Sequence, residues 1–470
     1  MKPNRMDKQP RIASSSAANA RSRWKTAWYA SVWRWHFYAG LIFAPFIIIL
    51  AVSGSVYLFK PQIEGYLYKD MLTVREVGAA ALPADEIVAR TMRAYPGTSV
   101  SSVTYSDDPA ATLKLGASRD GIFQTLYADP YTGHIRGILD NDHTFSAFFK
   151  KMHSELVIGG TWANRLVELA ACWALILTLT GLCLWWPRNK SALWGTILPR
   201  LSKPGSRQFW RDLHAVPAFW LSVGIVVLIL TGLPWSGVMG QQINKVATAT
   251  HTDYPPYALS FAAKPNSVTV TKDVSEDVPW AAEQLPVPES VAGGYVRLAV
   301  EEVSGIAERH QVARPYTISM PHGERGVYTI ATSHSRPGDN ATLHVDQYSG
   351  AVLTDVRYAD YGWMAKAITL GIALHEGQLF GIVNQLLGLI VALGLILISI
   401  SSYVMWQKRK PAGKLGAPPR PKDKRATLGV LAIMIVCGLI MPLVGLSLIV
   451  VLALDLLLLR RIERLRHWFG

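Results

Sequence analysis

Long apolar runs recur along this chain. They occupy residues 37–59, 166–186, 215–235 and 386–406. A helix rises about 1.5 Å per residue, so roughly 20 residues cross a hydrocarbon core of about 30 Å. A bilayer offers no water to backbone groups, so each run is expected to be helical. A fifth run, 428–459, is longer and is broken at Met441-Pro442. Proline interrupts a helix, so this run predicts two short helices in a hairpin. Between the runs the pattern changes. LPADEIVARTMRAYP (82–96) has apolar residues at helical spacing, a proline at its start and acids in its first turn. Alternating strand-like stretches follow and include TLYADPYTGHIRG. Further on, VRLAVEEVSGIAERH precedes strand-like stretches that include TLHVDQYSGAVLT. Asp-x-Tyr-[Thr/Ser]-Gly between alternating stretches predicts a hairpin turn. Each of these two regions is therefore expected to be a small α+β module.

The chain reads as if written twice. MHSELVIGGTWANRL and LHEGQLFGIVNQLL both give a histidine, a glycine and Asn-x-Leu ahead of an apolar run. WRWHFYAGL and WRDLHAVPAFW both give Trp-Arg and a histidine at the head of one. The expected fold is an α-helical polytopic membrane protein: a duplicated span–module–span unit plus a C-terminal transmembrane hairpin. Its parts are a basic N-terminus (1–35), span 1 (36–59), module 1 (60–150), a histidine arm with span 2 (151–187), a loop (188–211) and span 3 (212–236). Module 2 (237–370), a histidine arm with span 4 (371–406), a loop (407–427), the hairpin (428–459) and a tail (460–470) complete it.

Charge changes the picture by giving orientation. The net charge is +14, and 26 of the 47 Lys and Arg residues lie before residue 36, in 187–211, in 407–425 and after 459. Segments 60–165 and 237–383 carry a modest acidic excess. Basic loops stay on the cytoplasmic side. Both termini are therefore expected in the cytoplasm and both modules in the periplasm, with the chain in a bacterial inner membrane. This clustering explains the charge without nucleic acid. The first apolar run has no small-residue cleavage site just after it and predicts an uncleaved signal anchor. Cys172, Cys183 and Cys437 all fall within spans, and no CxxCH is present for covalent haem. No G-x-G-x-x-G and no P-loop occur, so no dinucleotide or ATP site is recognisable.

WRWHFYAGLIFAPF, DPYTG, KMHSELVIG, WRDLHAV and HEGQLFG with its following Asn384 together resemble the PepSY-associated transmembrane-helix family, often labelled iron-regulated membrane proteins. The resemblance covers residues 30 to 406. It implies PepSY-like modules and the activity of inner-membrane ferric-siderophore reductases that carry haem among their spans. PepSY modules elsewhere accompany peptidases, so a membrane-anchored interaction or peptidase-regulatory protein without a redox centre is the alternative.

The expected topology sorts four histidines into two pairs. His36 and His214 open spans 1 and 3 at the cytoplasmic face, while His153 and His375 precede spans 2 and 4 at the outer face. Two histidines per face suit two b-type haems, each taking one axial nitrogen from either side of its ring. Arg34 and Arg211 stand just before the inner pair and are candidates for the propionates. Two other readings stay open: polar anchors at the membrane interface, or ligands of another metal. HEGQL is not a zinc-protease motif, because Leu379 stands where the second histidine would be. The expected partners are a ferric siderophore or other ferric chelate, a cytoplasmic or quinol electron donor, and membrane lipid. His153 and His375 stand well ahead of Leu166 and Leu386, and the glycines between (Gly159, Gly160, Gly377, Gly381) allow a break that folds each histidine back. The remaining histidines are read mostly as surface residues, with His143 and His322 as weak candidates for substrate or metal contact.

Overall fold

The structure, a computed structural model, describes residues 12–187, 194–253, 268–290, 296–419, 423–459 and 461–469. Parts of the expected basic segments 1–35, 188–211, 407–427 and 460–470, and of the module 237–370, lie outside the described residues. In chain order the α-helices are α1 (Ile12–Tyr57), α2 (Lys60–Leu67), α3 (Lys69–Leu72), α4 (Ala84–Ala94), α5 (Phe145–Glu155), α6 (Gly160–Trp185), α7 (Arg207–Gly232) and α8 (Val238–Ala249). Then come α9 (Thr271–Val274), α10 (Val300–Arg309), α11 (Trp363–His375), α12 (Ile382–Arg409), α13 (Lys424–Ile440), α14 (Pro442–Leu454) and α15 (Glu463–Phe469).

The chain divides into two compact units, the first comprising Met1–Val52, His153–Met239 and Ile390–Gly470. Among the described residues five helical segments are long and apolar enough to cross a membrane: Thr26–Tyr57, Gly160–Trp185, Arg207–Trp235, Ile382–Arg409 and Pro442–Leu459. The apolar segment Thr427–Ile440 is shorter. Small residues set the close approaches in this unit. A Cβ built on Gly394 of α12 would come within 2.0 Å of Leu221 on α7, so glycine is what lets these helices touch. The C-terminal run breaks between Ile440 and Pro442, and α13 packs on α14. A Cβ on Gly438 would stand 2.8 Å from the Gly445 Cα, so two glycines make the tight crossing.

The second unit comprises Ser53–Met152 and Gly240–Leu389. Its strands are β1 (Thr98–Tyr105), β2 (Leu113–Arg119), β3 (Ile122–Ala128), β4 (Ile135–Asp140), β5 (Tyr316–Ser319), β6 (Val327–Thr332), β7 (Ala341–Asp346) and β8 (Val352–Arg357). They form one sheet in the order β4-β3-β2-β1-β5-β6-β7-β8, antiparallel throughout. Two four-stranded meanders thus share a sheet, joined where Ser102, Val103, Thr104 and Tyr105 pair with Ser319, Ile318, Thr317 and Tyr316. The predicted hairpin turns hold their geometry through aspartate. Asp129 Oδ1 accepts from the backbone N–H groups of Tyr131 and Thr132, and Asp346 Oδ1 from those of Tyr348 and Ser349. Gly133 and Gly350 follow with φ of 74° and 72°, where glycine is favoured.

Helices α4 and α10 supply Ile87 and Val303 to a core with Val103, Leu115, Leu126, Ile318, Ile330 and Leu343, all fully buried. Burial of each such side chain is worth about 1.5–3 kcal/mol. The same helices cap each other. The Asp85 carboxylate accepts from the N–H groups of Val300 and Glu301 at 2.9 and 3.1 Å, and Glu301 Oε2 accepts from Ala84 N–H at 3.3 Å. A carboxylate placed at a helix N-terminus meets both the unsatisfied N–H groups and the positive end of the helix dipole. In the second meander, Val278, Ala282 and Leu285 pack on Ala331 and add a further covering layer. His344 therefore departs from the expectation of a surface residue. It is only 1% exposed, and its Nδ1 lies 2.5 Å from Thr354 Oγ1.

Candidate functional site

His36 lies on α1 and His214 on α7, both half-buried in the first unit. Their ring centroids are 6.3 Å apart and the ring planes meet at 81°. The proton on each ring is fixed by its partner. His214 Nδ1 stands 2.9 Å from the Ile398 carbonyl, which can only accept, so Nδ1 carries the proton. His36 Nδ1 stands 2.9 Å from Thr180 Oγ1. That hydroxyl donates its own proton to the Ile176 carbonyl at 2.7 Å and therefore accepts from His36. In both rings the lone pair is left on Nε2, the atom that binds a metal when the other nitrogen is tied down. Gly181 stands beside His36: a Cβ built there would lie 3.4 Å from the His36 Cε1.

The arms that carry the other two histidines break where glycines allow it. Between α5 and α6, Leu156, Val157, Gly159 and Gly160 have positive φ; between α11 and α12, Gly377 and Gly381 do. A left-handed backbone ends a helix. In the first unit His153 Nδ1 then reaches the Leu50 carbonyl on α1 at 3.0 Å, which fixes the same tautomer as in the inner pair. In the second unit His375 is the last residue of α11. Each arm is tied to the following helix by an asparagine: Asn164 Nδ2 donates to the Ser154 carbonyl at 3.3 Å, and Asn384 Nδ2 to the Leu374 carbonyl at 2.9 Å. Each accepting carbonyl belongs to a residue next to the histidine.

The arginines are engaged by the protein itself. Arg34 donates to the Pro418 carbonyl at 2.6 Å and to the Tyr38 hydroxyl at 3.0 Å. Arg211 contacts the Asp212 carboxylate at 2.8 Å and the Gly195 carbonyl at 3.2 Å. Asp212 is fully buried and also takes Arg200 at 2.7 Å. A buried carboxylate needs such partners to remain charged. Sequence reasoning passed over Asp212 because one acid at the head of an apolar helix carries no periodic signal. It also passed over Glu168, buried on α6, which accepts the N–H groups of Val238 and Met239 at 2.9 and 2.8 Å and so starts α8. His143 is paired with Asp140 at 2.8 Å on the surface.

The donor set limits what the inner pair can hold. Among the described residues no group of three or more His, Cys, Asp or Glu side chains is placed to bind a metal ion. Two imidazoles alone leave a metal short of ligands unless the metal brings its own. A haem does so, since its macrocycle fills the plane and asks the protein only for axial nitrogens. Two metal–nitrogen bonds of about 2.0–2.1 Å plus the distance from each nitrogen to its ring centre span roughly 6 Å. The spacing of His36 and His214 fits that requirement.

Comparison with curated proteins gives no match. The histidine-bearing helices, the glycine-broken arms and the strands between them fall instead within one family description. The family model of the PepSY-associated TM region spans residues 33–409, so this multi-pass membrane chain belongs to that family.

Proposed function

We propose that the protein is an inner-membrane haem-containing reductase that passes electrons across the membrane to a periplasmic ferric chelate, a siderophore complex above all. In this reading the two meanders are copies of one PepSY-like module on the outer side. Both termini are cytoplasmic, and two b-type haems lie near the two faces. His36 and His214 would hold the inner one, and His153 and His375 the outer one. A bound haem supplies one-electron transfer between ferric and ferrous iron.

The observation that carries the reading is the inner pair: two imidazoles at 6.3 Å with both Nδ1 protons committed elsewhere. Thr180 and Ile398 orient these rings and keep Nε2 basic. Leu50 does the same for His153. Asn164 and Asn384 hold the arms at the ends from which the outer histidines project. Arg34 and Arg211, as candidates for the propionates, would have to share the bonds they now make to Pro418, Tyr38, Asp212 and Gly195.

An absorbance spectrum of the purified full-length protein tests the proposal. A Soret band with sharp α and β bands after dithionite is expected, with ferrous iron trapped by a chromogenic chelator once a ferric siderophore is added. A folded, colourless preparation would sink it.

A further inference from the structure

A second feature of the first unit touches His36. A cleft of about 170 Å³ opens between α1, α6 and α13. Helix α1 contributes Trp28, Trp35 and His36 to its wall, helix α6 contributes Trp173 and Thr180, and α13 contributes Ile433 and Met434. The lining is almost wholly apolar and rich in aromatic rings. Its lip is exposed on two helices, with Leu179 52% and Ile433 51% accessible, on surfaces that belong to apolar helices. The mouth of the cleft therefore faces the hydrocarbon phase.

We propose that this cleft binds the ring of a membrane quinone or quinol. Size is the first argument. An apolar cavity of about 150 Å³ takes up benzene, so this cleft of about 170 Å³ has room for a single six-membered ring. The walls are the second. Indole faces stack on a flat π-system, an arrangement that gives nothing comparable to a flexible acyl chain. The third is polarity. The Thr180 hydroxyl is committed to His36 and Ile176, while the Trp35 indole N–H makes no hydrogen bond among the described residues. Trp35 is half-buried in an apolar surround that offers its N–H no water, and a quinone carbonyl is an acceptor that arrives from the lipid phase. The last is position. His36 forms part of the cleft wall and also faces His214, so a bound ring lies against the inner pair. The binding site stands on these residues alone. Its meaning as the entry point for electrons rests on the reductase reading above.

Titration of the full-length protein in lipid nanodiscs with a short-chain ubiquinone, read by quenching of tryptophan fluorescence, tests the site without calling on haem. Saturable quenching is expected. Trp35→Phe keeps the ring and removes the N–H, and should weaken binding roughly three- to tenfold. Ile433→Trp fills the lip at an exposed position and should abolish saturation while the fold is retained by circular dichroism. Quenching that never saturates, as for lipid tails alone, overturns the proposal. So does saturable binding that both variants leave unchanged, which would put the quinone elsewhere. A colourless protein that still binds quinone at this cleft would sink the reductase reading and leave the site standing. A haem-loaded protein that binds none would do the reverse.

Discussion

His36 and His214 face each other at 6.3 Å although 178 positions of sequence separate them, and each has its Nδ1 proton held by a different helix. A ring that only anchors a helix at the membrane surface needs no such control of its tautomer. His36→Ala and His214→Ala are each expected to remove one of two low-spin haem signals or convert it to high-spin. Thr180→Val should keep both signals and weaken haem retention at the inner site roughly 10–100-fold. Electron paramagnetic resonance on the intact protein and haem loss to apomyoglobin read the two effects separately. Unchanged low-spin spectra in both alanine variants would return these histidines to an anchoring role.

The arm asparagines give a second prediction. Asn164→Ala and Asn384→Ala each delete one hydrogen bond to the carbonyl beside a histidine. A loss of about 1 kcal/mol per site is expected. It should appear as faster amide exchange confined to residues 153–163 in the first variant and 375–383 in the second.

The mutual caps of α4 and α10 give a third. Asp85 holds two N–H groups and Glu301 holds one at greater length. Asp85→Ala should therefore cost about 1–2 kcal/mol and Glu301→Ala less. A double-mutant cycle by thermal unfolding checks the order.

His344 sets a pH dependence in the sheet. Burial lowers its pKa from 6.5 to about 4. Below pH 6.5 the unfolded chain binds a proton that the folded chain refuses, so stability falls as pH drops toward 4 and is full above 6.5. The loss by pH 4 should be about 3 kcal/mol. His344→Gln should flatten that slope in acid unfolding monitored by tryptophan fluorescence.

The spans were legible because about 20 apolar residues in a row have one outcome in lipid. The turn aspartates and their glycines were legible because the chemistry that makes the turn is local. The pairing of β1 with β5 was not. Ser102 and Thr104 meet Ser319 and Thr317, residues that carry no mark of their partner. His344 was misread for a related reason. Alternation in TLHVDQ places it opposite Leu343 and Val345, a face that is exposed unless something covers it. The burial comes from contacts distant in sequence, such as Thr271, whose Oγ1 lies 3.4 Å from His344 Nε2. In the candidate site the histidines stood out through repetition. Thr180 and Ile398 did not, because a threonine or a carbonyl in an apolar run announces nothing about the ring it will hold.

The junction between β1 and β5 also governs the order of assembly. Strand β1 ends at Tyr105 and its neighbour begins at Tyr316, so two apolar helices, α6 and α7, are synthesised between them. The first meander must wait for its inner neighbour with β1 as an open edge, the kind of edge that recruits stray strands. The four-residue seam at the middle of the sheet can form only after α6 and α7 have been made. A chain in which the seam does not form leaves two half-sheets, each offering an unpaired inner strand for aggregation or for proteolysis.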